Sequence, residues 1–186
     1  MPALHEPAPV MVIAAVLTPS AAPANAVFAR LAEQFGKCLF ESSAYPFTAT
    51  DYYANEMGEQ LVRRLVAFER PAARDALPEM KRFTIGIESA TALQGNRRVN
   101  IDIGYIDYHK VVLASTKEGP HKLYLGKGIW GDITLLYRNG SFEPLPWTFP
   151  DFRSGMYNEA LCAIRQLYKK QRQQPSFHNQ QEHAAP

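Results

Sequence analysis

Apolar positions change period along this chain, and the changes predict where one element gives way to the next. Residues 10–17 (VMVIAAVL) form an unbroken apolar run that stops at Thr18-Pro19, the pattern of a buried first strand. Val27, Phe28, Leu31 and Phe35 then recur at helical spacing, with Pro23 in the opening turn and Gly36 where the helix should end. Residues 37–42 read as a short strand. Residues 44–60 (AYPFTATDYYANEMGEQ) are aromatic and polar without a sustained period, so a long ordered loop is expected there. Loops of that length within compact domains often carry function. Leu65-Val66-Ala67-Phe68, inside residues 61–68, supplies another strand, flanked by arginines and by Glu69-Arg70.

In the second half, Asp75 is a favoured N-cap and Pro78 fits a first helical turn. Leu77, Met80, Thr84, Ile87 and Thr91 give that helix a moderate stripe, weakened by Gly86 and ended by Gly95-Asn96. Residues 98–104 alternate cleanly: Val99, Ile101 and Ile103 face one way, and Asn100, Asp102 and Gly104 face the other. Residues 107–116 (DYHKVVLAST) fit a short helix capped by Asp107 or a strand, and the helix is preferred. Strands are expected at 121–125 and 129–138 around Gly126-Lys127-Gly128, and Asn139-Gly140 reads as a two-residue hairpin turn. Pro144 and Pro146 restrict the next strand to an edge, so residues 146–151 should wrap the surface in an extended form. Ser154 can cap a final helix carrying Tyr157, Ala160, Leu161, Ile164 and Tyr168, with a basic end that suits the helix dipole. This order predicts an α+β single domain: a ferredoxin-like split βαβ core, an antiparallel hairpin extension and a C-terminal helix. A mixed α/β sheet is the alternative.

Composition sharpens the boundaries. With 186 residues, 46% of them hydrophobic, the chain is the size of one domain that needs no disulfide or metal to hold its core. Residues 1–9 are expected to be a flexible N-terminus, 10–172 the single domain, and 173–186 a disordered polar tail containing His178 and His183. Twenty basic against eighteen acidic residues leave a net charge of +2, so neither nucleic acid nor a membrane surface is an expected partner. No apolar run approaches the roughly 18 residues of a membrane span. The run at 10–17 followed by small residues resembles a signal peptide, but residues 1–9 contain no Lys or Arg and do contain Glu6. Two cysteines, Cys38 and Cys162, fit buried free thiols, and a cytoplasmic location is expected.

Strong chemical motifs are missing. There is no G-x-x-x-x-G-K-[ST] loop, no G-x-G-x-x-G opening a helix, no C-x-x-C, no H-E-x-x-H and no G-x-S-x-G. Weaker groupings remain. Asn100 and Asp102 share one strand face, where a carboxylate can hold a cation or act as a base. The stretch from Asp51 and Tyr53 to Glu56 could line a cleft. Lys110 with Ser115, Thr116 and Lys117 could contact a phosphate. Trp147-Thr148 with Asp151 and Arg153 fits an internal ion pair clamping the wrap.

Several blocks in one order carry a resemblance. They are Tyr45-Pro-Phe-Thr-Ala-Thr-Asp51-Tyr52-Tyr53, Glu56-Met57-Gly58, Phe68-Glu69-Arg70 and Arg98-Val99-Asn100-Ile101-Asp102-Ile103-Gly104-Tyr105. They continue through Lys110 to Lys117, His121 to Gly126, and Glu143 to Arg153. From about residue 10 to 170 the sequence closely resembles the bacterial family known as domain of unknown function 4416. That resemblance implies no established activity. Some members carry an automatic GTP-binding label, which the missing phosphate loop does not support here. One departure is Asp102-Ile103-Gly104-Tyr105, where the family pattern is Asp-Pro-Gly-Tyr.

The preferred functional expectation is a binding module for a small phosphorylated or nucleotide ligand. Its candidate residues are Asp51, Tyr53, Glu56, Glu69, Arg70, Asn100, Asp102, Lys110, Lys117 and His121. No sequence pattern specifies a catalytic residue or a cofactor. One alternative is a non-catalytic scaffold or oligomer presenting Trp147, Phe149 and Phe152. The other is a metal-dependent hydrolase or transferase, which needs Asp51, Glu56, Glu69 and Asp102 to converge.

Overall fold

Strand β1 (Met11–Thr18) is buried along its whole length, and its surroundings explain why its apolar run shows no alternation. In this computed structural model, which describes residues 4–19 and 21–174, β1 lies between β4 (Val62–Phe68) and β5 (Asn100–Ile106), antiparallel to both. Its even-numbered residues Val12, Ala14 and Val16 pack under helices α1 (Ala21–Phe35) and α3 (Leu77–Ala90). Its odd-numbered residues Met11, Ile13 and Ala15 pack under helix α5 (Asn158–Arg172) on the other face. Covered on both sides, the strand has no solvent face to record in polar residues. The expectations for His178 and His183, and for the tail beyond residue 174, lie outside the described residues, as do residues 1–3.

The chain forms an α+β domain around one nine-stranded antiparallel sheet. Its order is β2 (Cys38–Glu41), β4, β1, β5, β6 (Lys110–Ser115), β8 (Ile129–Arg138), β7 (Lys122–Gly126). Strand β3 (Tyr45–Pro46) adds to β4, and β9 (Ser141–Pro144) adds to β8. The β1–α1–β2 crossover leaves β4 between its strands, and the β4–α3–β5 crossover leaves β1 between its own. Each unit is therefore split by a strand of the other. The region expected as a loop contains β3 and one short helix, α2 (Ala54–Met57). No helix among the described residues is long and apolar enough to cross a membrane.

Three local readings are corrected. Residues 110–115 are strand β6 and not a helix. Val111 to Ala114 are buried between β5 and β8, a setting suited to β-branched residues. Asp107 instead holds the tight turn before β6, its Oδ1 accepting from the backbone N–H groups of His109 (2.7 Å) and Lys110 (2.9 Å). Asp75 sits within a 3₁₀ turn (Arg74–Ala76), and α3 begins at Leu77 without a side-chain cap. The C-terminal helical region is broken: α4 (Pro150–Arg153) precedes Gly155, whose φ of +79° interrupts it before α5 starts at Asn158.

The central strands part company at one place. Strands β5 and β6 pair only at Gly104–Leu113, Tyr105–Val112 and Ile106–Val111. Beyond Gly104, β5 continues on β1 through Asn100, while β6 continues on β8 through Ser115. The two ends therefore diverge like a fork. Gly104 sits at its apex, where a Cβ would lie 2.1 Å from the Val112 carbonyl oxygen. Only glycine permits that approach.

Candidate functional site

A cleft of about 200 Å³ occupies the fork. Divergence from β6 deprives the Ile101 backbone of a strand partner, and helix α3 supplies the replacement. Ile101 N–H donates to Glu88 Oε1 (2.6 Å), and its carbonyl accepts from Lys81 Nζ (2.8 Å). Lys81 and Glu88, both buried, lie 3.7 Å apart. A backbone edge buried without such partners would be costly, so this pair is what lets the fork stay open. Burial raises the Glu88 carboxyl above the usual range, and Lys81 opposes the shift.

The floor on the α5 side is an arginine-centred network. Arg63 projects from β4 and is only 3% exposed. Its Nη2 donates to Asp102 Oδ2 (3.0 Å) and its Nη1 to Asp151 Oδ2 (2.5 Å), which also accepts from the Tyr157 hydroxyl (3.1 Å). The guanidinium lies 4.9 Å from the centre of the Phe47 ring. Asp151 belongs to a strap, residues 145–153, fastened to β8 by Thr148 Oγ1, which donates to the Thr134 carbonyl (2.5 Å).

On the β8 side stands Asp132, 2% exposed. Its Oδ2 lies 3.4 Å from His121 Nε2 and 3.8 Å from Lys122 Nζ, while its buried Oδ1 has no hydrogen-bond partner. Burial pushes its carboxyl up, against the pull of Lys122 and His121. His121 stacks on Trp147 with ring centres 5.2 Å apart. Lys122 Nζ also donates to Ser115 Oγ (2.9 Å) and to the Lys117 carbonyl (3.3 Å).

At the mouth, Asn100 is 5% exposed. Its Oδ1 accepts from Arg97 Nη1 (3.2 Å), but its buried Nδ2 has no partner. Arg97 is itself clamped by Glu56, Nε to Oε1 (2.8 Å) and Nη2 to Oε2 (2.7 Å), which holds the Glu56 carboxyl below its ordinary range. Lys117 Nζ donates to the Tyr52 hydroxyl (3.0 Å) and lowers its pKa. Tyr53 lines the wall, and burial pushes its phenol up to about 12.

Of the residues singled out from sequence, Tyr53, Asn100, Asp102 and Lys117 line the cleft. Glu56 acts on it through Arg97, and His121 through Asp132. The other four lie elsewhere. Asp51 is exposed on the loop before α2 and does not itself line the cleft, although Tyr52 and Tyr53 after it do. Glu69 and Arg70 follow the far end of β4, where Arg70 Nη1 donates to the Gln34 carbonyl (2.6 Å). Lys110 begins β6 at the end opposite the fork and pairs with Asp107 at 3.1 Å. The four carboxylates Asp51, Glu56, Glu69 and Asp102 do not converge: arginines close Glu56 and Asp102, Asp51 is exposed outside the lining, and Glu69 follows the far end of β4. Among the described residues no three His, Cys, Asp or Glu side chains form a metal-holding group. Phe152 is buried in the core beneath α5, which leaves Trp147 and Phe149 as the half-exposed rings of the strap.

Sequence reading missed Arg63, Lys81, Glu88, Arg97, Lys122 and Asp132. Two of these leave a signal: Arg63 beside Leu65-Val66-Ala67-Phe68, and Asp132 within the apolar strand IWGDITLLYR. A charge at the centre of a buried run needs a partner, and that demand marks it as a network residue.

Neither a curated protein nor a solved structure matches this chain. A family model does match, over residues 8–168, a span that contains both walls of the fork, α3 and the strap. By that match the chain belongs to the family described as domain of unknown function (DUF4416).

Proposed function

We propose that the β5–β6 cleft binds a small phosphorylated or nucleotide ligand, with Lys117, Lys122 and the Asn100 amide donating to its anionic group. The buried, unpartnered Asn100 Nδ2 on the cleft wall carries this reading. A buried donor left unsatisfied costs about 1–3 kcal/mol, and an acceptor on a ligand would offset that cost. Lysine partnering supports the same conclusion. Arg63, Lys81 and Arg97 are each paired with a carboxylate. Lys122 Nζ lies 3.8 Å from Asp132, much as Lys81 lies 3.7 Å from Glu88, whereas Lys117 Nζ donates only to the Tyr52 hydroxyl, so Lys117 is the lining cation most available to an incoming anion. The proposed setting is the cytoplasm, where Cys38 and Cys162 would stay reduced.

A thermal-shift panel of inorganic phosphate, sugar phosphates and nucleotides, with and without Mg²⁺, tests the proposal. Binding to the folded state raises the melting temperature with ligand concentration. A combined Lys117→Ala, Lys122→Ala variant should lose that rise. A flat response of the native protein across the panel would overturn the reading.

Self-association is a second reading with one observation behind it. Edge strand β7 exposes Leu123 (68%), Tyr124 (59%) and Leu125 (40%). Apolar edges of this kind favour pairing with another strand. Light scattering showing a monomer at high micromolar concentration would dispose of it.

A further inference from the structure

We infer that the ligand of this cleft is a polyol monophosphate, its phosphate held by Lys117 and Asn100 and one of its hydroxyls donating to Asp132. The inference rests on the binding reading above and narrows it by three observations.

The first is the character of the two unpartnered atoms. Asn100 Nδ2 is a donor and Asp132 Oδ1 an acceptor, both buried on the cleft wall. The acceptor cannot serve a phosphate, because a carboxylate repels it. It suits a hydroxyl hydrogen. Asp132 Oδ2 already faces His121 and Lys122, so the second oxygen is the one left for a ligand.

The second is charge. The lining carries Arg63, Lys81, Arg97, Lys117 and Lys122 against Glu88, Asp102, Asp132 and Asp151. Glu56 on Arg97 brings the balance close to neutral. A single phosphate group, with about −1.5 to −2 charge, adds little to that near-neutral lining and meets Lys117, the lining cation with no carboxylate partner. A triphosphate would place further negative charge beside four carboxylates.

The third is shape. The cleft volume of about 200 Å³ falls below the roughly 300 Å³ at which pockets begin to enclose drug-sized molecules. Asn100 and Asp132 stand on strands separated by β6, on the two sides of the open fork. A slender chain with a phosphate at one end and hydroxyls along it reaches from one side to the other.

Calorimetric titration of the full chain with ribitol 5-phosphate, pentyl phosphate, inorganic phosphate and GTP with Mg²⁺ separates the possibilities. Ribitol 5-phosphate should bind roughly tenfold or more tightly than pentyl phosphate, which has the same length without the hydroxyls. GTP should bind no better than inorganic phosphate. Asp132→Asn should bring the ribitol-to-pentyl ratio towards one. Equal affinities of the native protein for the two matched phosphates would overturn the inference without touching the binding reading, and so would a preference for GTP. An unchanged ratio in a folded Asp132→Asn variant would overturn the role of Asp132. Failure of every phosphorylated probe to bind would overturn both readings together. The native-protein comparison decides the matter even if the variant does not fold.

Discussion

Arg63 on β4 reaches past β1 to meet Asp102 on β5 at 3.0 Å, linking two strands that share no backbone ladder. Its other terminal nitrogen holds Asp151 of the strap, so one buried cation ties both sides of β1 to the segment that closes the cleft floor. The cleft wall is therefore fixed by electrostatics as well as by the sheet.

Removing that cation should be severe. Arg63→Met leaves Asp151, which is almost fully buried, without a compensating charge, and should destabilise the protein by about 3–5 kcal/mol. Urea denaturation measures this. An Arg63→Met, Asp151→Asn double variant should recover part of the loss, since it no longer buries the isolated strap carboxylate. A double variant as unstable as the single one would contradict this account.

Two glycines should respond in opposite directions to alanine. Gly104→Ala drives a Cβ towards the Val112 carbonyl at the fork apex and should cost about 1–3 kcal/mol. Gly86→Ala, in α3 with no atom within 4 Å of the new carbon, should gain about 0.5–1 kcal/mol from helix propensity. Matched denaturation curves test the pair. A stable Gly104→Ala protein would mean that β5 and β6 can separate further without loss.

Alkaline pH should weaken the fold partly through Tyr53. Burial, with Asp102 adding to it, pushes the phenol from its ordinary 10 to about 12, so the folded state keeps a proton that the unfolded chain releases. Stability should therefore fall as pH rises between 10 and 12. Tyr53→Phe should make that decline shallower without abolishing it, because burial also raises Tyr105 and Tyr168. An identical pH slope in the variant would show that Tyr53 does not contribute.

At the other extreme, Glu56→Gln should release the loop carrying α2 from Arg97. The native pair is partly exposed, so the loss at neutral pH should be at most about 1 kcal/mol. Arg97 holds the Glu56 pKa down, so its contribution is present above the ordinary carboxylate pKa and disappears as pH falls below it. The native and variant stabilities should converge in acid. Hydrogen exchange should also quicken across residues 47–60. Unchanged exchange there would place the loop's anchoring in Phe47 and Met57, which pack with Leu17 and Leu61.

The sequence by itself determined much within single elements. The unbroken run of β1 required burial on two faces. Alternation from Val99 to Ile103 placed Asn100 and Asp102 together on one strand face, and Asn139-Gly140 specified its turn, with φ of +48° and +90°. These features are local, because side-chain period and turn chemistry are set by neighbours along the chain. Residues 107–116 were ambiguous for the same reason: a short apolar run fits a buried helix or a buried strand, and only β5 and β8 on either side decide between them. The cleft was likewise decided by tertiary structure alone. It exists where two strands stop pairing, and Lys81 and Glu88 of α3, Arg63 of β4, Asp132 of β8 and Asp151 of α4 reach it from four elements. No periodicity within one element records where its neighbour diverges. A buried charge shows in the sequence that it needs a partner, but only the packed sheet supplies one.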